Sequence, residues 1–466
     1  MSHFNRRDFI KGTALTTAAL ALNSPAQLAF PKIAKVSPRI RKPNEKLNIG
    51  VIGVGGKGWS NWEPMFNWDE NIVALCDADR NQNDRGRDKV KEKNPDVKCY
   101  TDYRKMLDEW GGKLDIVTVS TPDHTHAPAA IRAMKLGCSV YVEKPLVRTI
   151  YEARYFEQVA KACGVHTQMG NQGSSSGGLR RSVEILNAGI LGNVEEVHVW
   201  TNRPVWPQGI TVSGEDPVPD NLDWDSWIGT APMRPYKKDT YHTFKWRGFF
   251  DFGTGAFGDM ACHTMNLPFR GLKLGAVTSA ECLQVEGKNN DTFPSKSIVK
   301  LNYAAREKLP AVNLFWYDGN LKPSADIMPQ VIATLGEVPN TGCLIVGDKG
   351  MLVSTNDYGE ESYIGFKGEE KMISTKKKEA FEHIPESIPR NRGGQQRELV
   401  DAVKGVDDVT CYSDTGHSVP MLESMLVGCI AQQIEGKLTW DSKRQTFKNK
   451  AADALLKPHI RKGWDY

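Results

Sequence analysis

An apolar run that opens straight onto a glycine-spaced loop constrains this chain more than any other feature. Leu47-Asn48-Ile49-Gly50-Val51-Ile52 reads as a buried strand, and Gly53-Val54-Gly55-Gly56-Lys57-Gly58 follows without a break. The glycines at 53, 55 and 58 have the Gly-x-Gly-x-x-Gly spacing. The first permits a tight turn, the second lets backbone approach a pyrophosphate, and the third lets a helix pack close to the strand. The helix N-terminus then offers N–H groups to phosphate. Alone the motif is weak, but a second apolar strand, Asn71 to Cys76, ends in Asp77, 24 positions after Gly53. A carboxylate there accepts hydrogen bonds from ribose hydroxyls and repels a 2′-phosphate. This favours NAD over NADP, with Arg80 nearby keeping NADP open.

The alternation continues with a helix at 81–93, a strand at 97–100, a helix at 102–110, a strand at 115–120, a helix at 127–136 and a strand at 139–142. Strands alternating with helices predict an α/β doubly wound parallel sheet. Ligands bind beyond the carboxyl ends of such strands. Thr121, Asp123, Glu143 and Lys144 stand at those ends and are predicted to face the cofactor. His126 is read either as a cofactor contact or as polar trim of the loop, and His124 as trim.

Upstream, Asn5-Arg6-Arg7-Asp8-Phe9-Ile10-Lys11 precedes an apolar, small-residue run from Gly12 to Leu22. That run is too short for a bilayer span, which takes ~20 residues. The basic start, short apolar core and small residues at Ser24-Pro25-Ala26 make a secretory signal, and Arg-Arg followed by Phe and Lys resembles a twin-arginine signal. Residues 1–30 are therefore assigned to export by the twin-arginine machinery, into a periplasm or beyond. Residues 31–46, with several Pro, Lys and Arg, read as a linker. The net charge of +4, from 60 basic and 56 acidic residues, argues against a nucleic-acid partner. The nine cysteines include no Cys-x-x-Cys pair, so neither a disulfide framework nor a metal site is encoded.

Four segments taken in order resemble the Gfo/Idh/MocA oxidoreductases: the Gly53 to Gly58 loop, Ser120-Thr121-Pro122-Asp123-His124-Thr125-His126, Val142-Glu143-Lys144-Pro145, and Gly258-Asp259-Met260-Ala261-Cys262-His263. The resemblance spans roughly residues 47–440. It implies a Rossmann domain at 47–168 and an α+β domain at 169–440. The open, mostly antiparallel sheet of the second domain would build the substrate site and join copies into a homo-oligomer. It implies that Lys144 lies beside nicotinamide and substrate, and that Asp259 and His263 are the catalytic pair. Two features depart from common members: a Trp-rich insertion at about 200–250, and Asn266 where an Asp often follows the pair. Residues 441–466 run past the usual end as a C-terminal extension, expected to pack back through Trp440 and Trp464.

Hydride transfer from a secondary alcohol needs a proton acceptor, a donor to the developing alkoxide, and a C–H aimed at nicotinamide. His263 suits the first role and Lys144 the second. Asp259, one helical turn before His263, is placed to orient the imidazole. Tyr241 and His242 are the next candidates for the base. Five of the chain's 12 tryptophans fall between 200 and 246. Aromatic faces stack on sugar C–H surfaces, so Arg203, Trp206 and Gln208 are substrate candidates. Trp224 and Trp227 are read as core, and His417 as structural. The substrate is then a carbohydrate or polyol. Three functions stay open: a net oxidoreductase, a glycosidase working by a closed cycle of oxidation, elimination, hydration and reduction, and a non-catalytic sugar-binding protein. Export to a compartment without an NAD pool favours a tightly bound cofactor.

Overall fold

The computed structural model describes residues 28–33, 37–39, 41–390 and 393–466, so the signal expected at 1–30 lies outside the described residues except for its last three. The first sheet has six strands, β1 (Asn48–Ile52), β2 (Asn71–Cys76), β3 (Lys98–Tyr100), β4 (Ile116–Val119), β5 (Ser139–Val142) and β6 (Thr167–Met169). Their order is 3-2-1-4-5-6 and every pairing is parallel. The apolar runs of β1, β4 and β5 are buried because helices cover both faces. These helices are α1 (Lys57–Asn67), α2 (Arg80–Val90), α3 (Tyr103–Trp110), α4 (Asp123–Lys135) and α5 (Ile150–Cys163). Helix α4 starts four residues earlier than the sequence reading placed it. Pro122 leads directly into helix, and Asp123 in the first turn suits the positive end of the helix dipole.

The second sheet has nine strands: β7 (Val194–Trp200), β8 (Val277–Glu286), β9 (Lys296–Tyr303), β10 (Val312–Tyr317), β11 (Gly342–Gly347), β12 (Gly350–Ser354), β13 (Ser362–Phe366), β14 (Ile373–Ser374) and β15 (Leu438–Thr439). Their order is 14-13-12-11-7-10-9-8-15, and only β7 and β10 pair in parallel. Along β9 and β10 buried and half-buried residues alternate strictly, as in a sheet covered on one face. Helices α6 (Gly177–Asn187), α7 (Trp224–Ile228), α8 (Gly255–Thr264), α9 (Asn266–Gly271), α10 (Pro329–Leu335), α11 (Gly394–Val403) and α12 (Thr415–Ala431) complete the set used below.

Helix α8 is buried along its whole length, which holds it still between the two sheets. Its Phe257 ring lies flat on Trp316 of β10, 4.5 Å between centroids and 4° between planes. Gly428 of α12 makes room for that ring, since a Cβ there would stand 2.3 Å from it. The chain from 394 returns to the first sheet, with α11 packed on α1 and α12 on α5.

The insertion has little regular structure and is ordered by its own aromatic cluster. Trp224 and Trp227 stack at 4.7 Å and are buried with Tyr241, Phe249 and Phe252. The segment straps across the end of β2. Arg80 N donates to Asn221 O at 2.8 Å, Asn221 donates to the Asp79 carboxylate at 2.7 Å, and Thr101 donates to Asp223 at 2.8 Å. His242 Nε2 lies 3.1 Å from the other oxygen of Asp79. The C-terminal extension clasps this strap from outside. Arg461 donates to the carbonyls of Thr230 and Gly229, both at 3.0 Å, while Arg104 stacks on the buried Trp464 ring at 3.5 Å. Trp440 is likewise buried, its Nε1 donating to Glu423 at 2.9 Å.

Candidate active site

One cleft of about 610 Å³ joins the glycine loop to α8. At the loop, Gly53 has φ +83°, and a Cβ there would stand 2.4 Å from the carbonyl oxygen of Ser120. Gly58 lets α1 rest on the strand end, because its Cβ would fall 1.9 Å from the Gly53 oxygen. No side chain caps the N-terminus of α1, where Gly56 and Lys57 line the cleft. Asp77 lines it too. One carboxylate oxygen accepts from Val54 N (2.9 Å) and Gly55 N (3.2 Å), the other from Asp79 N (3.0 Å). Burial raises the Asp77 carboxyl above its ordinary value, against the pull of those three amides. The second oxygen keeps a lone pair for a ribose hydroxyl. A tight glycine turn, an uncapped helix end and an acid at the second strand fit a dinucleotide such as NAD.

The two strand-end clusters divide. Thr121, Glu143 and Lys144 line the cleft. Glu143 accepts from Asn61 Nδ2 and from the Lys144 amide, each at 3.0 Å. Asp123, expected to face the cofactor, and His126, read as a cofactor contact or as polar trim, are buried and do not line the cleft. Asp123 is 1% exposed and accepts from the Thr254 hydroxyl at 2.8 Å. Burial, then the nearby Asp259 charge, push it up to about 7. The ring nitrogens of His126 stand 2.8 and 2.9 Å from the carbonyl oxygens of Pro145 and Thr121, tying the two clusters together. Burial drops this histidine to about 4, against the pull of the two carbonyls.

On α8, Asp259 and His263 both open onto the cleft. Lys144 Nζ donates to Asp259 Oδ1 at 2.8 Å and to the Asp259 carbonyl at 3.1 Å. Arg247 Nε donates to the same Oδ1 at 3.1 Å. Burial works against ionising Asp259, but Lys144 and Arg247 outweigh it and hold the carboxyl below its ordinary value. Lys144 is raised in turn: burial opposes its charge and Asp259 overcomes that. His263, 5% exposed, leaves Nδ1 without a partner. Burial, helped by the Lys144 charge, drives it well below the ordinary histidine range. Asp259 was expected to orient this imidazole, yet it bonds the two cations instead. An oxygen offered an ammonium and a guanidinium makes stronger charge-assisted bonds there than with a neutral ring.

Of the substrate candidates, Arg203 and Trp206 line the cleft. Gln208, the third candidate, does not. It accepts from Trp206 Nε1 at 2.7 Å and donates to Pro294 O at 2.6 Å, so both ends of its amide are used inside the wall. Tyr241 is buried in the aromatic cluster, and His242 lines the cleft with its Nε2 on Asp79. His417 meets Asn266 at 3.0 Å, a structural contact. Sequence reasoning missed Arg247 and Tyr358, which stands edge-on to His263 at 5.1 Å. Arg247 carried a faint signal, a cation just ahead of the Gly-rich approach to α8. Tyr358 carried none, since it arrives from the turn between β12 and β13.

Residues 47–171 match the model of the Gfo/Idh/MocA oxidoreductase family described as its NAD-binding Rossmann fold, and residues 182–295 match the family's C-terminal alpha/beta domain. The chain belongs to the Gfo/Idh/MocA family. Residues 3–22 match a twin-arginine translocation signal sequence, which marks the chain for export. No helix among the described residues is long and apolar enough to cross a membrane. Two relatives from Shewanella share 34% identity over 170 residues: an alpha-N-acetylgalactosaminidase of Shewanella oneidensis and a glycosyl hydrolase family 109 protein of Shewanella sp.. Each match covers 33% of this chain and 36% of the relative, so the chain spans about a third of the length of the curated relatives it matches. Among solved structures, an inositol dehydrogenase homologue of Azotobacter vinelandii with NADH and myo-inositol is 15% identical, with TM-score 0.59, covering 86% of this chain and 99% of that one. The WlbA dehydrogenase of Bordetella pertussis, with NADH and UDP-GlcNAcA, is 14% identical, with TM-score 0.57, covering 85% and 99%. At this identity they show a shared fold.

Proposed function

We propose that this chain is an NAD-dependent enzyme that oxidises a secondary alcohol of a sugar or polyol and keeps its cofactor bound. The observation that carries the reading is the Lys144–Asp259–Arg247 cluster, set beside a neutral His263 in the cleft that also holds the glycine loop. Bound NAD supplies the hydride acceptor. His263, kept neutral by burial, takes the hydroxyl proton as the C–H bond gives up its hydride and the carbonyl forms. Lys144, kept charged by Asp259, donates to the developing alkoxide. Gly53, Gly55, Gly58 and Asp77 would hold the dinucleotide, with Thr121 and Glu143 beside Lys144. Arg203 and Trp206 would contact substrate. The strap over β2 excludes water and retains the cofactor. Residues 47–168 then form the cofactor unit and 169–440 the substrate unit, while 441–466 clasps the strap.

The names of the Shewanella relatives favour a second reading in which the oxidation is transient. A carbonyl made on the ring acidifies the neighbouring C–H, so base removes that proton and the C1 substituent leaves. Water then adds and the hydride returns, for net hydrolysis. Both readings place the enzyme in the periplasm, and both allow a homo-oligomer through the outer face of the second sheet, where Leu283 and Val285 of β8 are exposed. The test is to purify the protein without added cofactor and record its absorbance before and after adding a panel of glycosides and polyols. Bound NAD that acquires the reduced-nicotinamide band supports the reading. Protein that retains no NAD, or that shows no band and leaves every sugar unchanged, overturns it. A keto sugar as product marks net oxidation, and free sugar plus released aglycone marks the closed cycle.

A further inference from the structure

The lining of the same cleft includes Phe244 and Asp357, to which hydride transfer itself assigns no role. Phe244 is 45% exposed, although the aromatic side chains around it are buried. The Trp206 ring meets it edge-on at 5.8 Å, and the Arg247 guanidinium packs over both Phe244 and Trp246 at 4.3 Å. The same guanidinium reaches Asp259, so Phe244 is fixed one residue away from the catalytic carboxylate. From a separate segment, Tyr358 faces His263, and its neighbour Asp357 meets Arg203 at 3.7 Å. That separation is too long for a direct hydrogen bond, so donors on Arg203 and lone pairs on Asp357 stay available. Thr341 donates to the other oxygen of Asp357 and holds it in place. All these residues except Thr341 line the one cleft.

We infer that Phe244, Arg203 and Asp357 form a subsite for a second sugar ring, so that the substrate is a glycoside of at least two rings. This rests on the hydride-transfer reading for the first ring. The phenyl face offers stacking to the C–H face of a pyranose. The loose ion pair offers a donor and an acceptor to neighbouring hydroxyls.

The test is calorimetry on the purified holoenzyme with a set of methyl hexopyranosides and with disaccharides carrying the same hexoses, read beside nicotinamide absorbance. At least one disaccharide binds more tightly than its methyl glycoside. Phe244→Ala cuts that preference by about 3- to 10-fold, the range of one aromatic contact. Phe244→Tyr keeps the preference, and Asp357→Asn lowers it. The subsite is overturned if no disaccharide outbinds its methyl glycoside, or if Phe244→Ala leaves the preference unchanged. Calorimetry reports binding and absorbance reports hydride transfer, so the two readings fail separately. A disaccharide held through Phe244 with no nicotinamide reduction keeps the subsite and sinks the oxidation. Reduction by methyl glycosides with no disaccharide preference does the reverse.

Discussion

Burial sets the chemistry of His263, because a buried imidazole sheds its proton and stands ready as a base. His263→Ala removes that acceptor and leaves the glycine loop untouched. Turnover should fall ~10²-fold or more, with NAD affinity nearly unchanged in a fluorescence titration. The sign of the pH effect follows from the depressed histidine. Its working form is the neutral one, and it stays neutral as pH falls through the usual ~6.5. The rate of nicotinamide reduction should therefore show no acid limb at that pH, and a limb centred there would identify a different, exposed base. At the other end of the cleft, the proposed role of Asp77 is to select the cofactor. NAD should bind more tightly than NADP, and Asp77→Ala should narrow the gap. Equal affinities in the unmodified protein would rule out this role for the carboxylate.

At the scale of elements, two segments foreign to a plain two-domain member act together. The insertion crosses the end of β2 through Asn221, Asp223 and His242. The extension holds α7 and the turn after it through Arg461 and plants Trp464 under Arg104. Trp464→Ala should destabilise the fold by about 3 kcal/mol, the low end for deleting a buried ring, read as a lowered Tm. Arg461→Ala removes bonds to the strap without opening a cavity. It should speed loss of NAD during gel filtration several-fold, and unchanged retention would show that the strap holds without its clasp.

Across the whole molecule, export and cofactor loading are one problem. A twin-arginine route carries folded chains, and a strap across the dinucleotide cleft is formed only in a folded chain. The exported enzyme should therefore arrive with NAD already bound. Replacing Arg6 and Arg7 by Lys should leave the precursor in the cytoplasm, detectable by fractionation and immunoblot. Normal export of that variant would mean another route.

The features legible in the sequence are those that local pattern decides. Apolar runs broken by glycine and alternating with polar helices specify the parallel sheet, and the spacing of Gly53, Gly55 and Gly58 specifies its turn. The order of four motifs identifies the family and places Lys144, Asp259 and His263. Tertiary structure decided who bonds to whom. Asp259 sits one turn from His263 in sequence, yet its partner is Lys144, 115 positions away, because the fold brings a buried ammonium to the same oxygen. Arg247, Tyr358 and Phe244 enter the cleft from loops whose paths depend on long-range packing, which no local periodicity records. His126 and Gln208 carry the polar groups a site would need. Whether such a group faces a cleft or spends its hydrogen bonds inside the wall depends on which carbonyls the fold sets within 3 Å of it, and these came from Pro145 and Thr121 for the one and Pro294 for the other.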